Sequence, residues 1–538
     1  MSDHQRPVRL PDGVQASPGF VTLYRQYGSN YRWWASLVGM IGSFATLLTS
    51  TIVNIAIPDI MGALGMTLEE AQWLATSFLA AGTVTMLMTA WFIRAYGIAA
   101  TYVGAMVVFL AASAMGAIAE SMEILLIARV IQGAAAGLSM PISMVVTAQV
   151  FPIQQRGFAM GIMGVGTILA PALGPTLGGY LVDHLSWRWV FLAAVPFVVL
   201  SLPLARMFFP ARETTGARPD FDWLGALLCA VFIPAFLIGL TEVQKEGWYD
   251  RFALSSFALG FSSLAAWILW EARTAEPLVE LRLFLNARFV AAALVTFTVG
   301  IGLYGSTYVL PLFLQQVSQL IATDAGVLMA PAGLVMAALF PLAGRLADAF
   351  SHRAMILIGL VLFAVSNLPM MSADNYTPAV TMLLWYSLGR VGLACIFPSL
   401  NAAAINPLPL ELIPHGSGAI NFLRQLGGAF GISFISLTMQ SQSAAHLNEL
   451  NSTQSWDNST TMELMRLGMQ DLRALGIDGY QGFEASFGFV VNAVQFQSSV
   501  LTYRDAFVFV TAVTMITLIP GLFIAGRRKQ LAIVSPAR

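Results

Sequence analysis

Long runs of apolar residues alternate with short polar segments along nearly the whole chain. Each run is about 20 residues long, which is the length an α-helix needs to cross the hydrocarbon core of a bilayer. We therefore predict fourteen membrane-spanning helices. Six of them lie near residues 35–57, 72–93, 101–119, 124–150, 157–181 and 189–209. Eight more lie near residues 223–241, 253–270, 289–316, 325–346, 355–372, 379–400, 417–439 and 505–526.

Composition supports an all-α polytopic membrane protein. Hydrophobic residues make up 57% of the chain and charged residues 10%, whereas an ordinary soluble domain has roughly 25% charged residues. The two cysteines, Cys229 and Cys395, both lie in predicted spans, so we expect neither a disulfide nor a metal centre. No Gly-x-x-x-x-Gly-Lys-Ser/Thr loop occurs, which argues against direct ATP drive. No cofactor and no nucleic-acid partner are expected.

The distribution of lysine and arginine between successive loops predicts the orientation. Of the 27 basic residues, eighteen fall on the side of the N-terminus, six on the other side, and three within spans. Because basic loops stay in the cytoplasm, both termini of a multi-pass inner (cytoplasmic) membrane protein are predicted to be cytoplasmic. Residues 1–34 lack the apolar core of a cleaved signal, so the first span is expected to act as an uncleaved insertion signal.

Three landmarks occur twice in the same order, which suggests a duplicated six-helix unit of the kind found in transporters. The first copy contains Arg94, Arg129 and Arg156, and the second contains the Gly344-Arg-Leu-Ala-Asp348 segment, Arg390 and His415. The predicted organisation is a cytoplasmic tail (1–34), a six-helix bundle (35–210), an inserted transmembrane hairpin with its loops (211–273), a second six-helix bundle (274–526) and a cytoplasmic tail (527–538).

One hydrophilic segment, residues 440–503, interrupts the second bundle and is predicted to be a periplasmic loop. Within it, residues 448–458 have the composition of a polar linker. Apolar residues from Met462 to Leu475 recur at near-helical spacing, which predicts a short amphipathic helix. That helix either docks onto a partner through its methionine-rich face or forms a solvated cap.

Arg129 stands inside an otherwise apolar run, where an ionisable residue indicates a functional site. Gln132 and Gly133 follow it, and Gln132 shares its helix face. Two interpretations remain open: the arginine caps backbone carbonyls near a helix end, or it lowers the proton affinity of a neighbouring carboxylate or water chain. Arg390 is the equivalent residue in the second repeat, with the same two interpretations.

A glycine and proline motif lies in the predicted fifth span and consists of Gly174, Pro175, Gly178 and Gly179. Small residues at this spacing usually form a packing face. The proline removes a backbone donor and permits a bend, so we interpret the motif as a hinge.

Few side chains are suited to carry protons or bind substrate. Asp348 is the strongest acidic candidate, and we expect it to hold a gate by pairing with an arginine or a helix N-terminus. A substrate cavity lined by large apolar faces would favour amphipathic molecules. Its candidate lining residues are Trp73, Phe78, Tyr304, Tyr308, Phe313 and Gln315, although aromatic residues are also common in packing and interfacial positions.

These motifs together resemble the major facilitator superfamily, in particular its EmrB-like family of fourteen-helix drug:proton antiporters. The segment Thr51-Ile-Val-Asn54-Ile-Ala-Ile-Pro58 is similar to the first-helix signature of that family, and 129–137 to its fourth-helix proton-transfer motif. Residues 174–179 are similar to its antiporter motif. The segment from Gly344 through Asp348 to Arg353 is similar to its cytoplasmic gating motif. Two departures stand out: Thr49 replaces the usual first-helix aspartate, and Arg94 replaces the acidic residue of the first-half gating motif.

The resemblance implies a secondary exporter of amphipathic drugs or toxic compounds that works by alternating access and proton antiport, and not an enzyme. It also implies a periplasmic membrane-fusion adaptor and an outer-membrane channel as partners. The alternative is a dedicated lipid or metabolite transporter without proton coupling. Clustered nucleophiles, acid–base pairs and metal ligands, which a membrane enzyme would need, do not occur in the predicted spans.

Overall fold

The computed structural model describes residues 16–212, 219–455, 457–477 and 479–524, and these residues form helices and loops with no β-strand. Within these ranges, thirteen helical segments are long and apolar enough to cross a membrane. The predicted span near 417–439 is also helical but is not among the thirteen, because it is less apolar than the others. The all-α fold predicted from the sequence is confirmed.

The first six-helix unit contains seven helices, one of them a single short turn, so that the predicted span near 189–209 is divided in two. They are α2 (Tyr31–Leu64), α3 (Leu68–Tyr96), α4 (Ile98–Ala117), α5 (Met122–Val150), α6 (Arg156–His184), α7 (Trp189–Leu192) and α8 (Val195–Phe208). The turn from α2 to α3 illustrates how the sequence fixes the ends: Gly65 takes a positive φ of 64° after α2. Thr67 and Glu70 then form a capping box at the start of α3, which satisfies backbone N–H groups that would lack partners.

A shorter helix, α1 (Pro18–Tyr27), precedes this unit and packs against it. Phe20 and Tyr24 are buried, and the Tyr24 hydroxyl donates a hydrogen bond to the Val150 carbonyl. The part of the predicted N-terminal tail that the structure describes is therefore attached to the bundle. Residues 1–15 and the predicted C-terminal tail, 527–538, lie outside the described residues.

The inserted hairpin consists of α9 (Trp223–Glu246) and α10 (Arg251–Glu271). Asp222 and Asp250 cap these helices by accepting hydrogen bonds from backbone amides, as aspartate does at the N-cap position. The hairpin packs against α3 and against a later helix, Ile413–Thr453, through a buried apolar cluster that includes Cys229, Phe232 and Phe236.

The second unit repeats the arrangement of the first. Its helices are α11 (Ala287–Gln316), α12 (Ala322–Ala349), α13 (His352–Asn367), α14 (Ala379–Ile405), α15 (Ile413–Thr453), α16 (Ser459–Ala474) and α17 (Gly479–Gly521). Short 3-10 turns cover Gly28–Asn30, Ile153–Gln155, Leu281–Leu285, Pro369–Ser372 and Leu410–Leu412. In each unit the second helix packs on the fourth and the first on the fifth, that is α3 on α5 and α2 on α6, then α12 on α14 and α11 on α15.

The predicted loop 440–503 is instead largely helical. With 41 and 43 residues, α15 and α17 are each about 60 Å long, twice the ~30 Å hydrocarbon core. The predicted polar linker is wrong over its first half, because α15 continues to Thr453. Low hydropathy indicated a loop here, but the two helices stabilise each other through bonds such as His446 Nε2 to Asp505 Oδ2 at 2.7 Å.

The predicted amphipathic helix is present as α16, which packs against α17. Met465 and Leu472 are buried against it, whereas Met462, Leu464 and Leu467 are exposed. The methionine-rich face of α16 is therefore divided: part of it is buried against α17, and part of it is exposed.

Candidate functional site

Asp348, near the end of α12, caps the start of α6 in the opposite unit. Its Oδ1 accepts a hydrogen bond from the Gly157 amide at 2.9 Å, and its Oδ2 accepts one from the Phe158 amide at 2.7 Å. His352 Nε2 lies 3.7 Å from Oδ1. Because the first amides of a helix have no partners within it and carry the positive end of its dipole, a carboxylate is stabilised there. Of the two partners expected for Asp348, the structure has the helix N-terminus.

Glycines allow α6 and α12 to approach closely at this point. A Cβ on Gly344 would collide with the Gly157 carbonyl oxygen, and a Cβ on Gly157 would lie 2.8 Å from the Gly344 carbonyl oxygen. One turn further along, a Cβ on Gly161 would meet the Phe340 backbone. A side chain at either Gly157 or Gly344 would push the two helices apart and stretch the hydrogen bonds of Asp348. Arg353, the third predicted gate residue, is half-buried just after this crossing.

Further hydrogen bonds between the two units lie at the same end of the bundle. Arg156 Nη1 donates to Asn406 Oδ1 at 3.2 Å. Ser417 Oγ on α15 donates to the Pro141 carbonyl of α5 at 3.0 Å. We call this end, where α5 and α12 end and α6 and α15 begin, the closed end. At the opposite end, the described residues give no hydrogen bond or ion pair between the two units.

Arg424 is a candidate that the sequence analysis left unassigned. It lies eleven residues into α15 and is buried. Its Nη2 donates to Met140 Sδ of α5 at 3.1 Å and to Asn421 Oδ1 of its own helix. The sequence could have identified it, because an arginine within a predicted span is a functional candidate by default. Arg424 thus extends the hydrogen bonds between the units farther along α15 than Ser417 does.

Arg129 is fully buried in the first unit. Nε donates to the Leu74 carbonyl at 2.8 Å, and Nη1 donates to Gln132 Oε1 at 2.8 Å. Gln132 Nε2 in turn donates to Ser113 Oγ at 2.8 Å. The chain of bonds joins α3, α4 and α5. No carboxylate pairs with Arg129 among the described residues. The contacts agree with the interpretation in which the arginine caps a backbone carbonyl.

Gly133 and Phe78 complete this network. A Cβ on Gly133 would collide with the Phe78 carbonyl oxygen, so the glycine brings α3 and α5 together. The Arg129 guanidinium lies 4.2 Å from the centre of the Phe78 ring, a cation–π contact. Phe78 is buried beneath the arginine and packs within the first unit, which differs from the prediction that it lines a substrate cavity.

Arg390 occupies the equivalent place in the second unit. Its Nη2 donates to Thr307 Oγ1 at 2.9 Å and to the Tyr386 hydroxyl, and its guanidinium lies 4.1 Å from the Tyr386 ring centre. A cavity of about 10 Å³ borders it, which is room for about one water molecule. The polar residues around this cavity are Ser306, Ser366, Asn367 and Tyr386. Each arginine therefore has neutral hydrogen-bond partners, but Arg129 binds α3 whereas Arg390 binds α11.

The first-helix motif lies along α2. Thr49 is buried, and its hydroxyl donates to the Ala45 carbonyl of its own helix at 3.1 Å. Thr51 likewise donates to carbonyls of its own helix, while Asn54 and Pro58 are exposed. A threonine hydroxyl does not titrate in the range of a carboxylate, so Thr49 cannot replace the missing aspartate as a proton carrier.

The glycine motif of α6 faces α2 within the same unit. A Cβ on Gly174 would lie 2.5 Å from Thr51 Oγ1, and one on Gly178 would lie 2.9 Å from Ile52 Cγ1. A Cβ on Gly179 would meet no atom within 4 Å. The helix continues through Pro175 to His184. Gly174 and Gly178 thus form a packing face, and the hinge role of the motif stays a prediction.

The remaining cavity candidates lie in different surroundings. Trp73 is 41% exposed near the start of α3. The Tyr304 ring packs against Gly428 of α15, Tyr308 is half-buried, and Gln315 donates to the Pro311 carbonyl of its own helix. Phe313 is fully buried against Tyr503 and Phe507. The structure does not bring these residues together into one lining.

The first-half counterpart of the Asp348 gate is built differently. Arg94, at the position equivalent to Asp348, forms an ion pair with Glu276, Nη1 to Oε2 at 2.7 Å. Glu276 belongs to the segment 272–280 that follows the inserted hairpin. An arginine cannot cap a helix N-terminus as an aspartate does, and here the inserted segment supplies the partner.

Comparisons with known proteins agree with this architecture. The Major Facilitator Superfamily profile matches residues 39–432. The MFS-type transporter YcnB of Bacillus subtilis (strain 168) is 33% identical over 417 residues, which are 77% of this chain and 88% of YcnB. The multidrug export protein EmrB of Escherichia coli (strain K12) is 28% identical over 444 residues, covering 81% of this chain and 86% of EmrB.

Among solved structures, the proton:xylose symporter XylE superposes with a TM-score of 0.57 at 14% identity, covering 95% of this chain and all of that chain. That likeness concerns the fold alone. The profile match and the identity to YcnB, taken with the two packed six-helix units, show that this chain belongs to the major facilitator superfamily.

Proposed function

We propose that this protein is a secondary active exporter of amphipathic drugs or toxic compounds that works by alternating access and exchanges its substrate for protons. The observation that carries the proposal is that the hydrogen bonds between the units lie on one side: they run from Asp348 at the closed end inward to Arg424, and the described residues give none at the opposite end. A carrier that exposes its substrate site alternately to the two sides needs such separable contacts at the ends of two rocking units.

The relatives support the substrate class. EmrB of Escherichia coli is named as a multidrug export protein, and LmrB of Listeria monocytogenes, 25% identical over 402 residues, is named as a lincomycin resistance protein. Proton exchange is the energy source that fits a chain with no nucleotide-binding loop. Dedicated transport of one lipid or metabolite without proton coupling is the alternative.

We further propose that the closed end faces the cytoplasm and that the chain resides in the inner membrane with both termini inside. The basic residues counted in the loops support this orientation. The extensions of α15 and α17, with α16, would then project into the periplasm. Their exposed apolar residues, among them Met462, Leu464 and Leu467, offer a surface for a membrane-fusion adaptor that connects to an outer-membrane channel.

Inverted membrane vesicles test the proposed function. Dye or drug transport is measured under an imposed pH gradient, after an uncoupler has collapsed it, and under an imposed voltage alone. We expect transport to follow the pH gradient. Drug transport that ignores the gradient would contradict proton antiport and favour the alternative. A vesicle that transports none of the amphipathic probes would contradict the substrate class.

A further inference from the structure

The inserted hairpin brings two acidic side chains together at the closed end, outside the gate itself. Asp222 caps α9, and Glu271 is the last residue of α10. Only 7% of Asp222 and 3% of Glu271 is exposed. Neither residue was predicted as a site residue from the sequence, because an acidic residue at a helix end is usually solvated.

The hydrogen bonds of the two carboxyl groups are unequal. Asp222 Oδ1 accepts from the Gly225 amide at 2.8 Å and from Trp270 Nε1 at 2.7 Å. Glu271 Oε2 accepts a long bond from the Val279 amide at 3.4 Å, and the Leu278 amide and the Trp267 indole N–H also face this carboxyl group. Two strong donors stabilise the ionised form of Asp222, whereas Glu271 lacks such support. Of the two, Glu271 is the carboxyl group with the weaker donors, and it is therefore the one that gains more from carrying a proton.

The two remaining oxygens, Asp222 Oδ2 and Glu271 Oε1, are buried and have no hydrogen-bond partner. They border one small space, because a Cβ on Gly225 would overlap Asp222 Oδ2 and lie 3.1 Å from Glu271 Oε1. The Trp267 indole N–H faces Glu271 and is also buried without a partner. Unpartnered buried oxygens are costly, and a proton held between two carboxyl groups would supply the missing donor.

No positive charge compensates this pair among the described residues. Cys229 on α9 faces both carboxyl groups, and His415 on α15 and Arg94 on α3 lie near each other beside the segment 272–280 that follows Glu271. Arg94 is already paired with Glu276, and His415 Nδ1 lies 3.1 Å from the Leu278 carbonyl oxygen. Two buried carboxylates that border one small space repel each other when both are ionised, and a shared proton would remove that repulsion.

The segment 272–280 connects this pair to the gate. Its Val279 amide contacts Glu271, its Leu278 carbonyl contacts His415 at the start of α15, and its Glu276 holds Arg94 at the end of α3. Because α3 and α15 belong to opposite units, opening the closed end must move this segment. That movement would admit water to the carboxyl pair.

We propose that Asp222 and Glu271 form a proton-binding site whose occupancy stabilises the closed end through the segment 272–280. With the closed end shut, the pair holds one proton. When the end opens, the hydrated Glu271 carboxyl transfers its proton to water and both groups are ionised. This inference deepens the proposed function, because it names a proton site in a chain that lacks the first-helix aspartate.

The sign of the pH dependence follows from linkage. The closed form binds one proton that the open form releases, so lower pH favours the closed end and higher pH opposes it. Across the titration range, the ratio of closed to open molecules changes by up to about tenfold per pH unit. Glu271→Gln removes the exchangeable proton, and Asp222→Asn removes the neighbouring negative charge that favours its binding, so either change flattens the dependence.

Infrared difference spectroscopy of the reconstituted full chain tests the site without any transported substrate. The carbonyl stretch of a protonated carboxylic acid should lose intensity in Glu271→Gln and Asp222→Asn, and should remain in Asp220→Asn, an exposed carboxylate of the same loop. Asparagine can still cap α9, so Asp222→Asn keeps the site testable where Glu271→Gln does not fold. An unchanged band in Asp222→Asn would overturn the proposal.

Distances between spin labels at Gln154 and Ala354, both exposed at the closed end, test the link to the gate. In the wild type we expect the long-distance population to grow as pH rises, and in Asp222→Asn we expect that growth to be lost. A pH dependence identical in wild type and variant would overturn the proposal. Both readouts are independent of drug efflux, so failure of the exporter assignment and failure of the proton site are distinguishable.

Discussion

Arg129 shows how a buried charge can be held by neutral groups alone. Its Nε and Nη1 donate to the Leu74 carbonyl and the Gln132 amide oxygen, the Phe78 ring covers its face, and its buried Nη2 has no hydrogen-bond partner. The fork geometry of arginine suits this task, whereas the single ammonium of lysine cannot reach several partners at once. The arginine therefore fixes the relative positions of α3 and α5.

We expect Arg129→Met to destabilise the protein by about 1 to 3 kcal/mol, because the buried Gln132 amide oxygen loses its donor, while the Leu74 carbonyl keeps its helical bond within α3. Arg129→Lys should recover only part of this loss, because one ammonium cannot replace both bonds. Thermal unfolding in detergent measures both effects. Arg206→Met, at an exposed site near the end of α8, is the control and should change stability by less than about 0.5 kcal/mol.

The pH profile of efflux distinguishes this role from one in proton transfer. With a packing role, variants that still export keep the wild-type pH midpoint. A midpoint that shifts in Arg129→Met and returns in Arg129→Lys, at equal stability, would show that the charge itself acts on a titrating group.

The crossing of α6 and α12 depends on the absence of side chains. Gly157 and Gly344 place backbone against backbone, and the same approach brings Asp348 to the amides at the start of α6. Gly326, also on α12, makes no such close contact, since a Cβ there would meet nothing within 4 Å. The same glycine-to-alanine substitution should therefore impair the protein at Gly344 and leave it unaffected at Gly326.

We expect Gly344→Ala to cost about 1 to 3 kcal/mol of closed-end stability, the usual penalty for forcing a methyl group into a packed contact. Efflux in whole cells should fall while expression persists. Gly326→Ala is the matched control and should export like the wild type. Full export by Gly344→Ala would show that the crossing can widen without loss of the gate.

The overall architecture follows from the sequence to a large extent. Apolar runs locate the spans, because burial in lipid imposes length and composition on each helix, and the repeated landmarks anticipate the paired units. The extended ends of α15 and α17 escaped prediction, since polar helices outside the membrane leave no hydropathy signal.

Contacts between segments far apart in the chain were harder to predict from the sequence. Asp348 was expected at a helix N-terminus, but its partners Gly157 and Phe158 precede it by about 190 residues, and no local pattern links them. The pair of Asp222 and Glu271 was missed for the same reason: each residue looks ordinary at its own helix end. Single-residue chemistry can be inferred from sequence, whereas proximity across units requires the packed fold.

Asp348 gives the sharpest test of how the whole molecule moves, because its one side chain accepts two hydrogen bonds from the opposite unit. In Asp348→Asn the amide oxygen can accept from one backbone N–H, but the amide NH₂ faces the other, and the charge that complements the helix dipole is lost. Charge-assisted bonds are worth about 1.5 to 3 kcal/mol, so losing about 1.4 kcal/mol would shift the ratio of closed to open molecules about tenfold.

Spin labels at Gln154 and Ala354, with a second pair at the exposed Leu185 and Ile321 and Cys395 replaced by serine, measure both ends. We expect the first distance to lengthen and the second to shorten, while Asp324→Asn, an exposed carboxylate at the other end of α12, leaves both unchanged. If the first pair separates and the second stays fixed, the two ends move independently, and rocking of rigid units is the wrong description of this transporter.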